Sequence, residues 1–229
     1  ELSLLTGISM LNPAEGRFQY LVSGKTDAFI SAGNTGAMLV GSMFSLKAIE
    51  GVLRPTIAPV LPKENGGTGL LVDVGINVDS KPEYLNQFAI MGSVYAQTIL
   101  GIDKPRVALM NIGEEEGKGN LLAQAAFPLL KENSSINFIG NIEGRDVLVD
   151  KADVMVCDGF TGNVLLKASE GVAELLQYSL KEVLRKGLRG HLMGVLARPA
   201  LNAWNRAYNP ARLNGASFLG LRGVVVKSH

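Results

Sequence analysis

Short apolar runs closed by Gly, Asn or Asp recur along the chain at residues 28–31, 70–73, 107–111, 137–140 and 154–158. Apolar runs of this length without polar alternation are the pattern of strands buried on both faces. Between most of them the apolar positions fall at helical spacing, which predicts helices over 36–50, 82–100, 119–131 and from 163 to about 187. Strands alternating with helices predict an α/β fold, a Rossmann-like, doubly wound and mainly parallel sheet covered by helices on both faces. One helix start is marked with particular clarity: Ser80 and Glu83 have capping-box spacing around Pro82. No repeat and no low-complexity linker interrupts the pattern, so residues 1–229 read as a single catalytic domain.

Composition narrows the picture without redirecting it. At 229 residues, 47% hydrophobic and with a mean hydropathy of +0.20, the chain can bury a full core. Its 27 glycines and 6% aromatic content favour many close backbone approaches over an all-β sandwich built on aromatic pairs. A single cysteine excludes a disulfide framework and any multi-cysteine metal cluster. With 22 basic against 21 acidic residues the net charge is +1, and no global field marks a nucleic-acid partner. Residues 28–46 and 84–102 carry no charge, but polar residues interrupt both, and neither is apolar enough to span a bilayer. Glu1 opens the chain without a signal-peptide pattern, so a soluble, cytoplasmic protein is expected.

The chemistry concentrates where strands end. Ligands of open α/β sheets bind outside the carboxyl ends of the strands. Those ends read Ser31-Ala32-Gly33-Asn34-Thr35-Gly36, residues 73–79, residues 111–120, residues 140–146, and Asp158-Gly159-Phe160-Thr161-Gly162-Asn163. Gly and Asn beside a helix start leave free N–H groups and the positive end of a helix dipole facing the cleft, which suits phosphate. Gly and Asn also serve as plain helix caps and turn residues. For one loop that second reading is the better one; for five loops on one expected rim the anion reading gains ground.

Known phosphate signatures do not fit. A Walker loop fails because Gly119 follows Lys118 where Ser or Thr is required, and a dinucleotide fingerprint starting at Gly117 meets Leu122 in place of its third Gly. No Gly-x-Ser-x-Gly elbow is present. The only histidines, His191 and His229, lie away from the strand-end loops, and Cys157 sits in an apolar run as a buried, inert thiol. What remains is amides, Lys118 and the acids Asp73, Glu114, Glu115, Glu116 and Asp158, a set suited to positioning an already ionised nucleophile such as inorganic phosphate and stabilising an oxyanion. Lys118 can neutralise phosphate or polarise a carbonyl, or it can merely balance the acids before it. The acidic run 114–116 admits a hard cation, with a solvated or lysine-paired loop the stronger reading.

At these loops the sequence resembles the bacterial PlsX family of acyl-acyl-carrier-protein:phosphate acyltransferases. The resemblance is carried by residues 31–36, Arg54-Pro55, 73–79 with Pro82-Glu83, 111–120, 137–146, 157–167, and 215–220 with Val226-Lys227-Ser228-His229, and spans essentially the whole chain. It implies a homodimeric α/β fold related to isopropylmalate dehydrogenases and phosphotransacetylases. It also implies transfer of a fatty acyl group from acyl carrier protein to orthophosphate for phospholipid synthesis, with no cofactor and no metal. Lys118 and Asn163 are then the catalytic pair; Asn34, Thr35 and Gly36 hold phosphate; Asp73, Asn77, Asn111, Asn120, Asn141, Asp158 and Thr161 line the same cleft. The family's opening βα unit with its Asp-Ala-Met-Gly-Gly-Asp motif and its closing helix are missing, so the chain is expected to be truncated at both ends. The same anion-binding rim would serve a coenzyme A-dependent phosphotransacetylase, and a non-catalytic, membrane-associated scaffold of lipid synthesis is the reading from a different class.

The near-neutral charge conceals a segment of net charge +6 between Tyr178 and Arg212, which leaves −5 on the rest. Residues 175–212 read as a basic, amphipathic helical hairpin with an apolar tip: Lys181, Arg185, Lys186, Arg189 and Arg198 beside Leu192, Met193 and Leu196, with Trp204, Arg206 and Arg212 beyond. An anionic membrane surface, an acidic carrier protein, and ordinary packing on the sheet or on a second copy all fit that pattern.

Overall fold

The computed structural model describes residues 4–6, 14–208 and 215–228, with residues 4–6, 14–17, 188, 191 and 204–208 described as backbone only. In chain order the elements are β1 (Leu4–Thr6), α1 (Ala14–Val22), β2 (Ala28–Ser31), α2 (Thr35–Ser45), β3 (Thr56–Pro62), β4 (Thr68–Val72) and α3 (Pro82–Thr98). They continue with β5 (Arg106–Asn111), α4 (Leu121–Glu132), β6 (Asn137–Glu143), a 3-10 turn (Gly144–Asp146), β7 (Val154–Val156), α5 (Gly159–Arg185), α6 (Gly187–Tyr208), β8 (Ala216–Leu219) and β9 (Val224–Lys227).

The described strands form one sheet in the order β1-β2-β9-β8-β3-β4-β7-β5-β6. Pairing is parallel within β1-β2-β9 and within β4-β7-β5-β6. Between these halves, β9-β8, β8-β3 and β3-β4 are antiparallel. The sheet is thus mainly parallel, as expected, but its direction reverses in the middle.

Alternate residues of the central strands enter two separate cores. Leu70 and Val72, Val107 and Leu109, and Val154 and Val156 pack under α3 and α4 with Leu85, Phe88, Ala126 and Leu130. Leu71, Ala108, Met110, Met155 and Cys157 face the other way, into a core shared with Phe18, Phe29 and Met38 and edged by Leu165 and Leu166 of α5. A strand buried on both faces cannot alternate polar with apolar residues, which is why these strands are unbroken apolar runs in the sequence. Burying them is the main driving force for this half of the fold.

Three local expectations are corrected. Lys81, not Ser80, is the N-cap of α3, with Pro82 in the first turn, and the Ser80 hydroxyl donates to the Asn77 carbonyl at 3.0 Å; no capping box forms. Helix α2 stops at Ser45 rather than running to residue 50. Helix α5 begins at Gly159, with Asp158 as its N-cap, so Asn163 lies past the first turn and not at the helix start.

Candidate active site

Strands β4, β7, β5 and β6 are neighbours and run the same way, so the loops that follow them stand side by side on one rim. Four of the five glycine- and asparagine-rich loops are therefore brought together.

The loops after β4 and β7 interlock. Asp73 is wholly buried: its Oδ1 accepts from the Ile57 and Val74 amides at 3.1 and 2.8 Å, and its Oδ2 accepts from the Asn77 amide and Nδ2 at 2.6 and 3.0 Å. Burial pushes the Asp73 carboxyl above its usual range against the hydrogen bonds from Asn77 and Ile57. Asn77 Nδ2 also donates to the Pro55 carbonyl at 2.9 Å, and the Gly159 amide donates to the Asn77 carbonyl at 2.8 Å. Asp73 therefore does not line the cleft as expected; it is the hub on which the β4 loop is wound. Asp158 and Thr161 likewise satisfy each other: Asp158 Oδ1 accepts from the Thr161 amide at 2.9 Å and its Oδ2 from the Thr161 hydroxyl at 2.7 Å. Their work is to cap α5. Asn163 is exposed, and a Cβ added to Gly75 would stand 3.0 Å from its Nδ2, so its side chain lies over the β4 loop. Cys157 is buried as expected, and burial pushes its thiol well above the usual range.

The β5 loop is held by amides. Asn111 Nδ2 donates to the Lys118 carbonyl at 3.0 Å while its Oδ1 accepts from the Ile112 amide at 2.8 Å. Buried Asn141 on β6 donates from Nδ2 to the Glu115 carbonyl at 2.9 Å, and its Oδ1 has no partner among the described residues. Asn120 caps α4, accepting from the Ala123 amide at 2.8 Å. Gly119 has φ +97°, and a Cβ there would fall 2.3 Å from Asn111 Oδ1, so the turn that follows Lys118 requires glycine. Lys118 itself is exposed and makes none of the ion pairs found among the described residues. The acids before it are bound elsewhere: Glu114 to Lys151 and Glu116 to Lys131 at 2.9 Å. The lysine-paired reading of the acidic run holds, but the lysine is not Lys118. Neither partner was legible in the sequence, since Lys151 is 37 positions from Glu114.

Asn34, Thr35 and Gly36 belong to the other half of the sheet. Asn34 caps α2, its Oδ1 accepting from the Ala37 amide at 3.0 Å. Because the sheet reverses, β2 and β4 run toward each other: Ser31 is level with Pro59 through Lys227 and Ala216, and Asp73 bonds Ile57. The two sets of strand ends meet at the same height on β3 but do not form one rim, and β2 lies three strand spacings, roughly 14 Å, to its side. None of the hydrogen bonds of the described residues joins the Asn34 loop to the Lys118 or Asn163 loops.

Through Tyr208 the basic segment lies on two successive helices, α5 and α6, with the turn between them at Gly187, φ +67°. The helices close tightly enough at Gly190 that a Cβ would meet the Val183 carbonyl at 2.9 Å. Lys181, Arg185, Lys186, Arg189, Leu192, Met193, Leu196 and Arg198 are all exposed. The side chains of Trp204 and Arg206, and all of Arg212 and His229, lie outside the described residues.

In fold the chain is similar to solved phosphotransacetylases. The EutD phosphotransacetylase from Staphylococcus aureus matches with a TM-score of 0.55 over 92% of this chain and 59% of its own, at 14% identity. A phosphotransacetylase from Streptococcus pyogenes matches with a TM-score of 0.54 over 69% of this chain and 54% of its own, at 16% identity. In sequence, the family model described as "Fatty acid synthesis protein" matches residues 16–229. The proteins named phosphate acyltransferase from Halothermothrix orenii and Bacillus subtilis are 49% and 46% identical, over 90% and 92% of this chain and 61% and 63% of their own lengths. That from Pseudomonas fluorescens is 49% identical over 92% of this chain and 62% of its own length. The chain belongs to this fatty acid synthesis protein family, the PlsX family of phosphate acyltransferases, and spans a little over three fifths of the length of these relatives.

Proposed function

We propose that the protein transfers a long-chain fatty acyl group from the thioester of acyl carrier protein to orthophosphate, giving acyl phosphate and free carrier thiol. The observation that carries this reading is a lysine, Lys118, held on an amide-pinned loop and, among the described residues, without an ion-paired acid, on the rim that also bears Asn163. A phosphate oxygen attacks the thioester carbonyl; the C–O bond forms, the C–S bond breaks, and the proton of hydrogen phosphate ends on the departing sulfur. No base is needed, because the nucleophile is already ionised. The Lys118 ammonium draws phosphate in and offsets the charge that develops on it, while the Asn163 amide donates to the carbonyl oxygen as it becomes an oxyanion. Asn77, Asn111, Asn120, Asn141, Asp158 and Thr161 act mainly by fixing these loops.

Two further partners belong to the same reading. The exposed apolar positions Val172, Leu175 and Leu176 on the hairpin support pairing with a second copy of the chain. Its basic, apolar-tipped turn supports contact with anionic lipid, placing the enzyme peripherally on the inner face of the cytoplasmic membrane; none of the described helices is long and apolar enough to cross it.

The test is phosphate-dependent release of carrier protein from a long-chain acyl thioester, run on the full-length protein beside its Lys118→Ala and Asn163→Ala variants. Each substitution is expected to lower kcat about a hundredfold or more with an unchanged circular-dichroism spectrum. Turnover at the wild-type rate by Lys118→Ala overturns the site, and a preference for coenzyme A thioester overturns the carrier-protein substrate.

A further inference from the structure

Three consecutive carboxylates, Glu114, Glu115 and Glu116, precede Lys118 by only a few residues, and the turn closed by the Lys118 amide on the Glu115 carbonyl at 3.1 Å brings Glu115 beside the Lys118 stem, with Glu115 Oε2 and Lys118 Cγ 3.0 and 3.2 Å from where a Cβ on Gly113 would stand. Such a loop would ordinarily pair its own lysine, which would then be unavailable to an incoming anion. The structure takes two of the three acids away. Lys151, from the segment that follows β6, binds Glu114 and is itself fixed by Asp146 at 3.2 Å. Asp146 is in turn anchored by the Glu143 amide at 2.9 Å and is nearly buried, so Lys151 is held from a rigid base. Lys131 takes Glu116 in the same way, though both of these side chains are largely in water. Of the three, only Glu115 has no ion pair among the described residues; its carbonyl is pinned by Asn141.

Resting on the reading of Lys118 as a catalytic residue, we infer that Lys151 is a positioning residue that sequesters Glu114 and so keeps the Lys118 ammonium open to phosphate. Its effect is electrostatic rather than a matter of propping up the loop, because Asn111 and Asn141 already hold the loop backbone at Lys118 and Glu115. Removing Lys151 releases a second carboxylate, beside that of Glu115, that competes with phosphate for Lys118, whereas removing Glu114 as well leaves Glu115 alone, as in the wild type.

The experiment compares full-length wild type, Lys151→Met, Glu114→Gln, the Lys151→Met/Glu114→Gln double variant and Lys118→Ala in the phosphate-dependent release assay. Lys151→Met is expected to lower kcat/KM for phosphate roughly fivefold at low ionic strength, the size of one exposed ion pair, mainly through KM. The deficit should shrink in about 0.5 M salt, where charges on the surface are screened. Glu114→Gln should stay near wild type, and the double variant should recover. Wild-type kinetics for Lys151→Met overturn the inference, as does a double variant no faster than Lys151→Met, since the lysine would then only brace the loop. An inactive Lys118→Ala beside an unaffected Lys151→Met sinks this inference alone; an active Lys118→Ala sinks the catalytic reading beneath it as well.

Discussion

Gly162 shows how closely the rim is built. A Cβ placed on it would stand 1.9 Å from the Asp73 carbonyl oxygen and 2.9 Å from Cys157 Sγ, atoms that belong to two different strands and cannot both retreat. Gly159, one turn earlier, meets the backbone of Asn77 at 2.9 Å in the same way. The first turn of α5 can lie directly on the β4 loop only because these two positions lack side chains, and that contact sets where Asn163 stands. Gly162→Ala is therefore expected to cost about 1–3 kcal/mol by overpacking. At roughly 2–4 °C per kcal/mol for a chain of this size, that is a fall of several degrees in Tm, with loss of acyl phosphate formation. Gly171, further along the same helix, has open space where its Cβ would go. Gly171→Ala should be neutral or stabilise by about 0.5–1 kcal/mol through helix propensity, so thermal melts of the two variants separate packing from propensity.

Strand starts on the opposite edge of the sheet are tied by charge. Lys63 just after β3 is 3% exposed and donates to Asp153 Oδ1 at 2.5 Å. Arg106, the first residue of β5, gives Asp153 Oδ2 its backbone amide at 2.8 Å and its Nε at 2.9 Å. Burial raises the Asp153 carboxyl, but the hydrogen bonds from Arg106 and Lys63 outweigh it and hold the group well below the usual carboxylate range. A depressed carboxyl favours the folded state above its unfolded value of about 3.9, and that contribution is lost as the pH falls through the lower, folded value. Lys63→Met, which strips one buried partner while Arg106 still holds Asp153, should cost about 1.5–3 kcal/mol at pH 7. In urea unfolding the gap from wild type should stay constant down to about pH 4 and close only below it; a gap that closes near neutrality contradicts this account. The sequence announces none of this, because the partners lie far apart in the chain. It does announce β2, β5 and β7, whose apolar runs come from burial on both faces. It conceals β3, where Pro59 and Pro62 break the strand pattern, and β8, whose partner Thr56 to Pro59 lies some 160 positions away. Missing those antiparallel strands makes all five loops look as though they share one rim. For the same reason the sequence reads Asn77, Asn111, Asn120 and Asn141 as lining one cleft, while their hydrogen bonds as loop clamps and caps are not legible in it.

Over the whole molecule, charge and apolar surface are sorted by region. The stretch of α5 and α6 from Tyr178 to Tyr208 carries six basic residues against Glu182, net charge +5, and its exposed positions include apolar ones, Leu196 at 73% and Val195 at 67%. Only the first turns of α5 are docked, through Leu165 and Leu166 at the edge of the core; the helix has 27 residues, about 40 Å, and none of its residues beyond Gly162 is buried. A long helix pair that leaves the core with both its lysines and its leucines in water is costly unless something covers it. An anionic bilayer satisfies both kinds of side chain at once, each Lys or Arg near the surface contributing about 1 kcal/mol and the apolar tip adding the area it buries. The full-length protein should then float with vesicles containing phosphatidylglycerol and not with phosphatidylcholine alone, and should release as salt shortens the Debye length. Replacing Lys181, Arg185, Lys186 and Arg189 with Glu should abolish flotation while leaving acyl phosphate formation from soluble substrate intact. Equal binding to both vesicle types, or binding that survives the charge reversal, contradicts the electrostatic account. If the reversed variant instead remains off the vesicles and also fails with carrier-protein thioester, the basic face belongs to the acidic carrier protein rather than to lipid.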